Sequence, residues 1–238
     1  YLGGDQADTG YGIRIDDEGN IFVTGIAGDS NFANLSSPWP GGLQSAYVVK
    51  LSANGQSLLK GRFYGTNEVD HSYFIDIDED DNVHIYGRTL GNITPTPNTY
   101  SYGTNKRQFL VAFDKDLDEI IYQTTIGNND ASEYSFVPAA FMVDKCNSIY
   151  FSGYYAIQDL PTTADAILSN VTQDAFYLGV LTPNAEDLSF GTYFGNADHV
   201  DGGTSRFDKG GIIYQGVCSC VEQDRTLNTS ANAYAQIQ

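Results

Sequence analysis

The sequence predicts an all-β chain, and three observations predict it. First, a hairpin-like unit recurs at residues 12–25 (GIRIDDEGNIFVTG), 74–87 (FIDIDEDDNVHIYG), 140–153 (AFMVDKCNSIYFSG) and 204–216 (TSRFDKGGIIYQG). Each copy reads as an alternating strand, a turn of short acids, amides and Gly, and a β-branched or aromatic run ending on Gly. Second, strand tails ending at Gly3, Gly65, Gly127 and Gly195 recur at spacings of 62, 62 and 68 residues. Third, the 238 residues include 17 Tyr, 13 Phe and 25 Gly, a composition that favours strands and turns over helices.

Taken in order, the first three units have four strands each and the fourth is expected to stop inside its third. In the first, the hairpin is followed by a long loop, 27–45, carrying Pro38, Pro40 and Gly41-Gly42. A third strand is expected at 46–51, an Asn54-Gly55 hairpin turn, and a fourth strand at 57–64. The second unit repeats this with a loop around Pro95 and Pro97, strands at 109–113 and 120–126, and a turn at 114–118. The third has four extra residues before its hairpin, then loop 154–173, strands at 175–181 and 188–194, and a Thr182-Pro183-Asn184 turn. The fourth aligns 233–238 with the third strand of the first unit.

Four antiparallel strands in about 62 residues, repeated, is the pattern of β-propeller blades. The expected division is 1–4 as the end of a preceding blade strand, 5–66, 67–128 and 129–196 as blades, and 197–238 as a partial fourth. Such a segment is expected not to close a ring alone, and to be a piece of something longer. Counted back four and two places from the closing Gly, the second strands carry Ile21/Val23, Val83/Ile85, Ile149/Phe151 and Ile212/Tyr214. Phe22, His84, Tyr150 and Ile213 lie between them. A strand apolar on both faces belongs between two layers. A β-sandwich with even strands is the competing fold, and a β-solenoid is disfavoured because its rungs are much shorter.

Tyr1-Leu2-Gly3-Gly4, Gly10 to Ile13, Asp16, Gly19-Asn20, Val23-Thr24-Gly25 and Ala46 to Leu51 followed by Leu58-Leu59 resemble the bacterial SBBP repeat of seven-bladed propellers. The likeness runs along the whole chain and is good in the first two units. Gly202 to Lys209, Ile212 to Gln215 and Cys218, with Phe136-Val137-Pro138 and Asp144-Lys145-Cys146, are similar to the last blades of propellers in large Bacteroidetes surface proteins. Those proteins continue into PKD-type Ig-like modules and a gliding-motility-associated C-terminal sorting domain. The resemblance implies export by type IX secretion and a place on the cell surface. Cys218-Ser219-Cys220 departs from the wider spacing of relatives, which leaves the disulfide partners open.

Thirty acids against twelve bases give a formal charge of −18, so a nucleic-acid surface, which needs clustered Lys and Arg, is not expected. No apolar stretch reaches the roughly 18 residues of a membrane helix. Cys146, Cys218 and Cys220 have no metal-site spacing. Cys146 sits in a hairpin turn and Cys218 past the end of the equivalent strand, roughly 20 Å apart at about 3.3 Å per residue. A disulfide spans only about 7 Å between Cα atoms, so a Cys146–Cys218 bond is not expected.

The loops leading into the hairpins are acidic in every unit: Asp5 and Asp8, Glu68 and Asp70, Asp130 and Glu133, Asp198 and Asp201. In a propeller they meet around one mouth of the channel. A carboxylate ring there would suit Ca²⁺, which takes six to eight oxygens. The plainer reading, a solvated rim, is preferred, since no single loop has a ligand spacing. Asp76 to Asn82 lacks the Gly and the bidentate Glu of a calcium loop and reads better as a turn. Among three histidines, His84 falls in a core strand, and His71 and His199 are expected in loops. No G-x-S-x-G, H-E-x-x-H, phosphate loop or sialidase Asp-box is present. Trp39 is either a sugar platform or part of a rigid Pro-flanked loop.

The expected function is that of a non-enzymatic propeller part of a secreted cell-surface adhesin or surface-filament scaffold. A carbohydrate-binding or carbohydrate-cleaving propeller is the alternative. Expected partners are other domains of the same long chain and a surface glycan or protein. Binding is expected in loops 27–45, 88–106 and 154–173, on the same face as the acidic loops.

Overall fold

The computed structural model describes residues 2–35, 37–103, 106–127, 136–156, 159–171, 175–194 and 205–216. They form a β-propeller segment of three four-stranded antiparallel sheets and one two-stranded hairpin. Sheet I joins β1 (Thr9–Ile15), β2 (Ile21–Ala27), β3 (Ser45–Leu51) and β4 (Leu58–Tyr64) in that order. Sheet II joins β5 (Asp70–Ile77), β6 (Val83–Thr89), β7 (Gln108–Phe113) and β8 (Ile120–Ile126). Sheet III joins β9 (Val137–Val143), β10 (Ile149–Ala156), β11 (Ala175–Leu181) and β12 (Leu188–Phe194). The last hairpin pairs β13 (Ser205–Phe207) with β14 (Ile213–Gln215). Short 3-10 turns occupy Phe32–Asn34 and Pro183–Ala185.

The hairpin turns explain why the units share a sequence. Asp16, Asp78 and Asp144 each use Oδ1 to accept the backbone N–H groups two and four residues on: Glu18 and Asn20, Asp80 and Asn82, Cys146 and Ser148. Asp208 does the same with Gly210 at 2.6 Å. An aspartate that bonds its own turn in this way fixes a tight reversal. The residue three places on has positive φ in every copy, as Gly19 (84°), Asp81 (62°), Asn147 (62°) and Gly211 (84°). Residues 78–82 are therefore a turn, with Asp76 and Ile77 closing the strand before it, rather than a calcium loop.

The first strands begin earlier than expected, at Thr9 and Asp70, so His71 lies on β5 rather than in a loop. A β-bulge interrupts each one, between Gly10 and Gly12, Ser72 and Phe74, and Pro138 and Ala140. The bulge breaks the two-residue period, which hides the first half of the strand from a pattern reading. It also accounts for the closing glycines: a Cβ on Gly25, Gly87 or Gly153 would run into the bulged backbone, at the carbonyls of Thr9, His71 and Val137.

The fourth unit corrects the register. Phe207 pairs with Ile213 and Arg206 with Tyr214. Ile213 packs toward sheet III, whereas Ile212 and Tyr214 are 53% and 58% exposed. Asp208 lies eight residues before Gly216, but Asp16, Asp78 and Asp144 lie nine before their glycines, so counting from Gly216 shifts the strand by one. A one-residue shift turns every side chain to the other face. The expected strand at 233–238 lies outside the described residues.

Successive sheets stack face to face, with the first strands β1, β5, β9 and β13 neighbouring one another in chain order. Between sheets I and II lie Phe22, Val48, Tyr64, Ile75, Val83, Ile85, Phe109, Val111 and Phe113. Between II and III lie Tyr86, Leu110, Tyr122, Phe141, Val143, Ile149, Phe151 and Tyr177. The described sheets do not close a ring. Ile13 and Ile15, counterparts of Ile75 and Ile77, are 59% and 64% exposed on the outward face of sheet I. Beside them that face is covered by Phe32, Leu35 and Trp39 from the loop.

Candidate functional site

The antiparallel order sends the turns within each hairpin to one end of the sheets. The loops that precede first strands and those that join second to third strands go to the other, here called the loop end. Direct bonds hold the two kinds of loop together: Asp8 Oδ1 accepts from Gly28 N at 2.8 Å, Asp5 Oδ2 from Asn31 Nδ2 at 3.1 Å, and Leu90 N donates to Val69 O at 2.9 Å.

Four of the acidic candidates lie in this region. Asp8 also accepts from Gly4 N at 2.6 Å, so both its oxygens serve the backbone. Asp70, its counterpart in the next unit, is fully buried and accepts from Thr66 N at 2.6 Å and Thr66 Oγ1 at 3.1 Å. Burial pushes the Asp70 carboxyl up, against the pull of hydrogen bonds from Thr66 and Thr89, and the charge of Glu68 adds to the rise. Asp5 bonds Asn31, and Glu68 is exposed. Asp130, Glu133, Asp198 and Asp201 lie outside the described residues, as do His199, Cys218 and Cys220. Among the described residues, no three His, Cys, Asp or Glu side chains come together as metal ligands would.

The two described histidines are held in structural contacts. His84 is 4% exposed, with Nδ1 at 2.9 Å from Tyr122 Oη and Nε2 at 3.0 Å from Asp78 Oδ2. His71 bridges Tyr73 Oη at 3.0 Å and Gln44 Oε1 at 2.7 Å, joining β5 to the loop before β3. Trp39 meets Phe63 edge-on at 4.9 Å and packs, half-buried, as part of the loop that covers sheet I.

The long loops divide their work. One stretch of each runs down the free edge of the fourth strand. Ser37 Oγ accepts from Phe63 N at 2.8 Å, Thr96 N donates to Gln123 O at 2.9 Å, and Thr163 N donates to Gly191 O at 3.0 Å. Leu168 forms a bridge with Tyr193. Covering an edge in this way blocks pairing with another strand. The remaining stretches stay at the loop end, and two of them, from adjacent sheets, face across a cleft of about 420 Å³. It is lined by Tyr102 from the loop of sheet II and by Asp159, Leu160, Pro161, Thr162, Ser169 and Asn170 from that of sheet III, with Tyr193 of β12 behind.

The cleft is held from below. Tyr193 Oη accepts from Leu160 N at 2.8 Å and Tyr177 Oη donates to Pro161 O at 2.6 Å. Burial lifts the Tyr193 phenol to about 12, with the Leu160 N–H pulling the other way, and burial beside Tyr102 lifts Tyr100 to about 12. These phenols stay protonated throughout the physiological range. None of the cleft residues stood out in the sequence, because the cleft joins two loops from different units. The visible signal was Tyr100-Ser101-Tyr102-Gly103, tyrosines among small residues in a loop, a composition common in binding loops.

Residues 1–35 match the family model of the SBBP beta-propeller repeat. The matched segment contains β1, β2 and the Phe32–Asn34 turn. No curated protein matches the chain. Among the described residues, no helix is long and apolar enough to cross a membrane. The family match and the stacked four-stranded sheets agree: the chain is a β-propeller segment, and its residues 1–35 are similar to the SBBP repeat.

Proposed function

We propose that the chain is the non-enzymatic propeller part of a secreted cell-surface adhesin or surface-filament scaffold, and that it engages its partner at the loop end. The observation that carries this reading is the division of surfaces. The inner sheet faces are packed against one another, the fourth-strand edges are covered by loop segments, and the loop end keeps a preformed cleft. Rigid sheets presenting irregular loops are a common arrangement for recognition. The surface setting, the link to gliding bacteria and export by type IX secretion rest on the sequence resemblance. Glycoside cleavage needs two carboxyl groups about 5–10 Å apart, and Asp159 is the one carboxylate among the described residues lining the cleft.

The test is attachment of the whole protein to its native surface. Replacing exposed loop-end residues together (Leu43, Glu68, Tyr102 and Asn170 to Ala or Ser) should abolish attachment while leaving thermal unfolding unchanged. The same treatment of Glu18, Gln56, Glu79 and Asp116 at the other end should leave attachment intact. Equal attachment by both variants, or release of sugar products by the wild type, would overturn the proposal.

A further inference from the structure

Resting on the loop-end reading above, we propose that the cleft between sheets II and III binds a sugar ring of an uncharged glycan, with Tyr102 supplying the apolar face and Asp159, Asn170, Ser169 and Thr162 the partners for its hydroxyls.

The lining matches that ligand and fits others poorly. A pyranose has a face of C–H groups and a rim of hydroxyls that both donate and accept. The cleft has two aromatic rings, Tyr102, 39% exposed, and Tyr193 behind it, beside a carboxylate, an amide and two aliphatic hydroxyls. Its volume of about 420 Å³ lies in the range of small-molecule sites, and a small number of placed polar groups is how such sites fix orientation. Below it, a recess beside Tyr100, Phe136, Phe151 and Tyr177 measures only about 10 Å³, at the threshold for a single water. The cleft therefore has a solid floor. A metal ion would find a single carboxylate, and a formal charge of −18 repels polyanions. A peptide adding as a strand would need a free sheet edge, and the nearby edge of β12 is occupied by residues 163–168.

Two further features mark the cleft as prepared for a ligand. Asp159 has φ of 100°, a backbone conformation that is strained for a residue with a side chain and that concentrates at ligand sites. Lys106 is only 8% exposed, and its ammonium stands 5.2 Å over the Tyr102 ring. It has no hydrogen bond among the described residues. Burial pulls the Lys106 ammonium down, and the Asp159 charge opposes the fall. The Lys106 ammonium thus packs against the Tyr102 ring from within its own loop. A site ordered before binding loses less entropy on binding.

The experiment presents the whole protein to an array of neutral glycans and to methyl glycosides of glucose, galactose, mannose and N-acetylglucosamine. At least one neutral sugar should bind. Tyr102→Ala should weaken it by about tenfold or more, as loss of a central aromatic contact does, Asn170→Ala should also weaken it, and Tyr102→Phe should retain it. Each variant's thermal unfolding is compared with wild type. Binding only to acidic glycans, no binding to any sugar, or binding indifferent to Tyr102→Ala in a folded protein would overturn the sugar cleft. If Tyr102→Ala loses sugar binding yet keeps native-surface attachment, the cleft stands and the adhesive contact lies elsewhere. If no sugar binds but attachment still maps to the loop end, the sugar assignment fails and the adhesive reading stands.

Discussion

Asp76→Ala is expected to lower the unfolding free energy by about 1–3 kcal/mol, the cost of leaving the buried Val143 N–H without its acceptor. Asp76 lies on β5, with its side chain 4% exposed. Arg14 of β1 donates from Nε to Oδ1 at 2.9 Å, and Lys209, in the turn between β13 and β14, donates to Oδ2 at 3.0 Å. Val143 N of β9 donates to the same oxygen at 2.9 Å. Lys209 also reaches Val143 O at 2.6 Å and Ile77 O at 3.5 Å. One carboxylate thus ties together residues of all four repeat units. Arg14, Asp76, Met142 and Arg206 occupy the same place in each unit, two residues before the turn aspartate. Opposite charges at this one repeat position, Arg14 and Asp76, join the first two units. Asp76→Asn keeps the volume and one acceptor, so it should lose less. Urea unfolding measures both variants; a loss under about 1 kcal/mol for Asp76→Ala, the range of exposed ion pairs, would remove this carboxylate from its proposed role.

Acid should weaken the protein through Asp78. Burial alone would raise this carboxyl, but hydrogen bonds from His84 and Asn82 and the charge of His84 bring it down to about 2, from an ordinary value of 3.8. A carboxyl depressed in the folded state stabilises fully above its unfolded pKa, and the contribution fades as pH falls from 3.8 through about 2. The shift corresponds to about 2 kcal/mol, since one pKa unit is about 1.4 kcal/mol. Asp78→Asn preserves an oxygen for the turn N–H groups of Asp80 and Asn82 but cannot titrate. The difference in unfolding free energy between wild type and Asp78→Asn should therefore shrink by about 2 kcal/mol between pH 6 and pH 2. A difference that stays constant over that interval would contradict the assignment.

The turn aspartates show what was legible in the sequence and what was not. Their recurrence disclosed four hairpins, because an aspartate bonding its own turn is a local device that leaves a local trace. The second partner of each aspartate left no such trace. Oδ2 of Asp78 meets His84, that of Asp144 meets Tyr150 Oη at 3.2 Å, and that of Asp16 faces Lys50 Nζ at 3.3 Å. Three different residues serve one role, and Lys50 comes from the third strand, so no sequence pattern could announce it. The strand starts at Thr9 and Asp70 were hidden by bulges, and the register of β14 by a unit one residue shorter. The long loops were recognised as loops. That part of each guards a strand edge, and that two of them enclose a cleft, depends on pairings with other strands and another sheet.

The proposed polarity, with structural turns at one end and recognition at the other, is tested most directly by blocking each end in turn. Cys146 is an exposed free thiol in the turn between β9 and β10. Ser101 is exposed at the loop end. Two proteins suffice, both carrying Cys218→Ser and Cys220→Ser: one keeps Cys146, and the other has Cys146→Ser with Ser101→Cys. Each is coupled to a bulky polyethylene glycol maleimide and assayed for attachment to the native surface. Attachment should survive modification at Cys146 and be lost on modification at position 101; loss at Cys146 with attachment retained at position 101 would contradict the account.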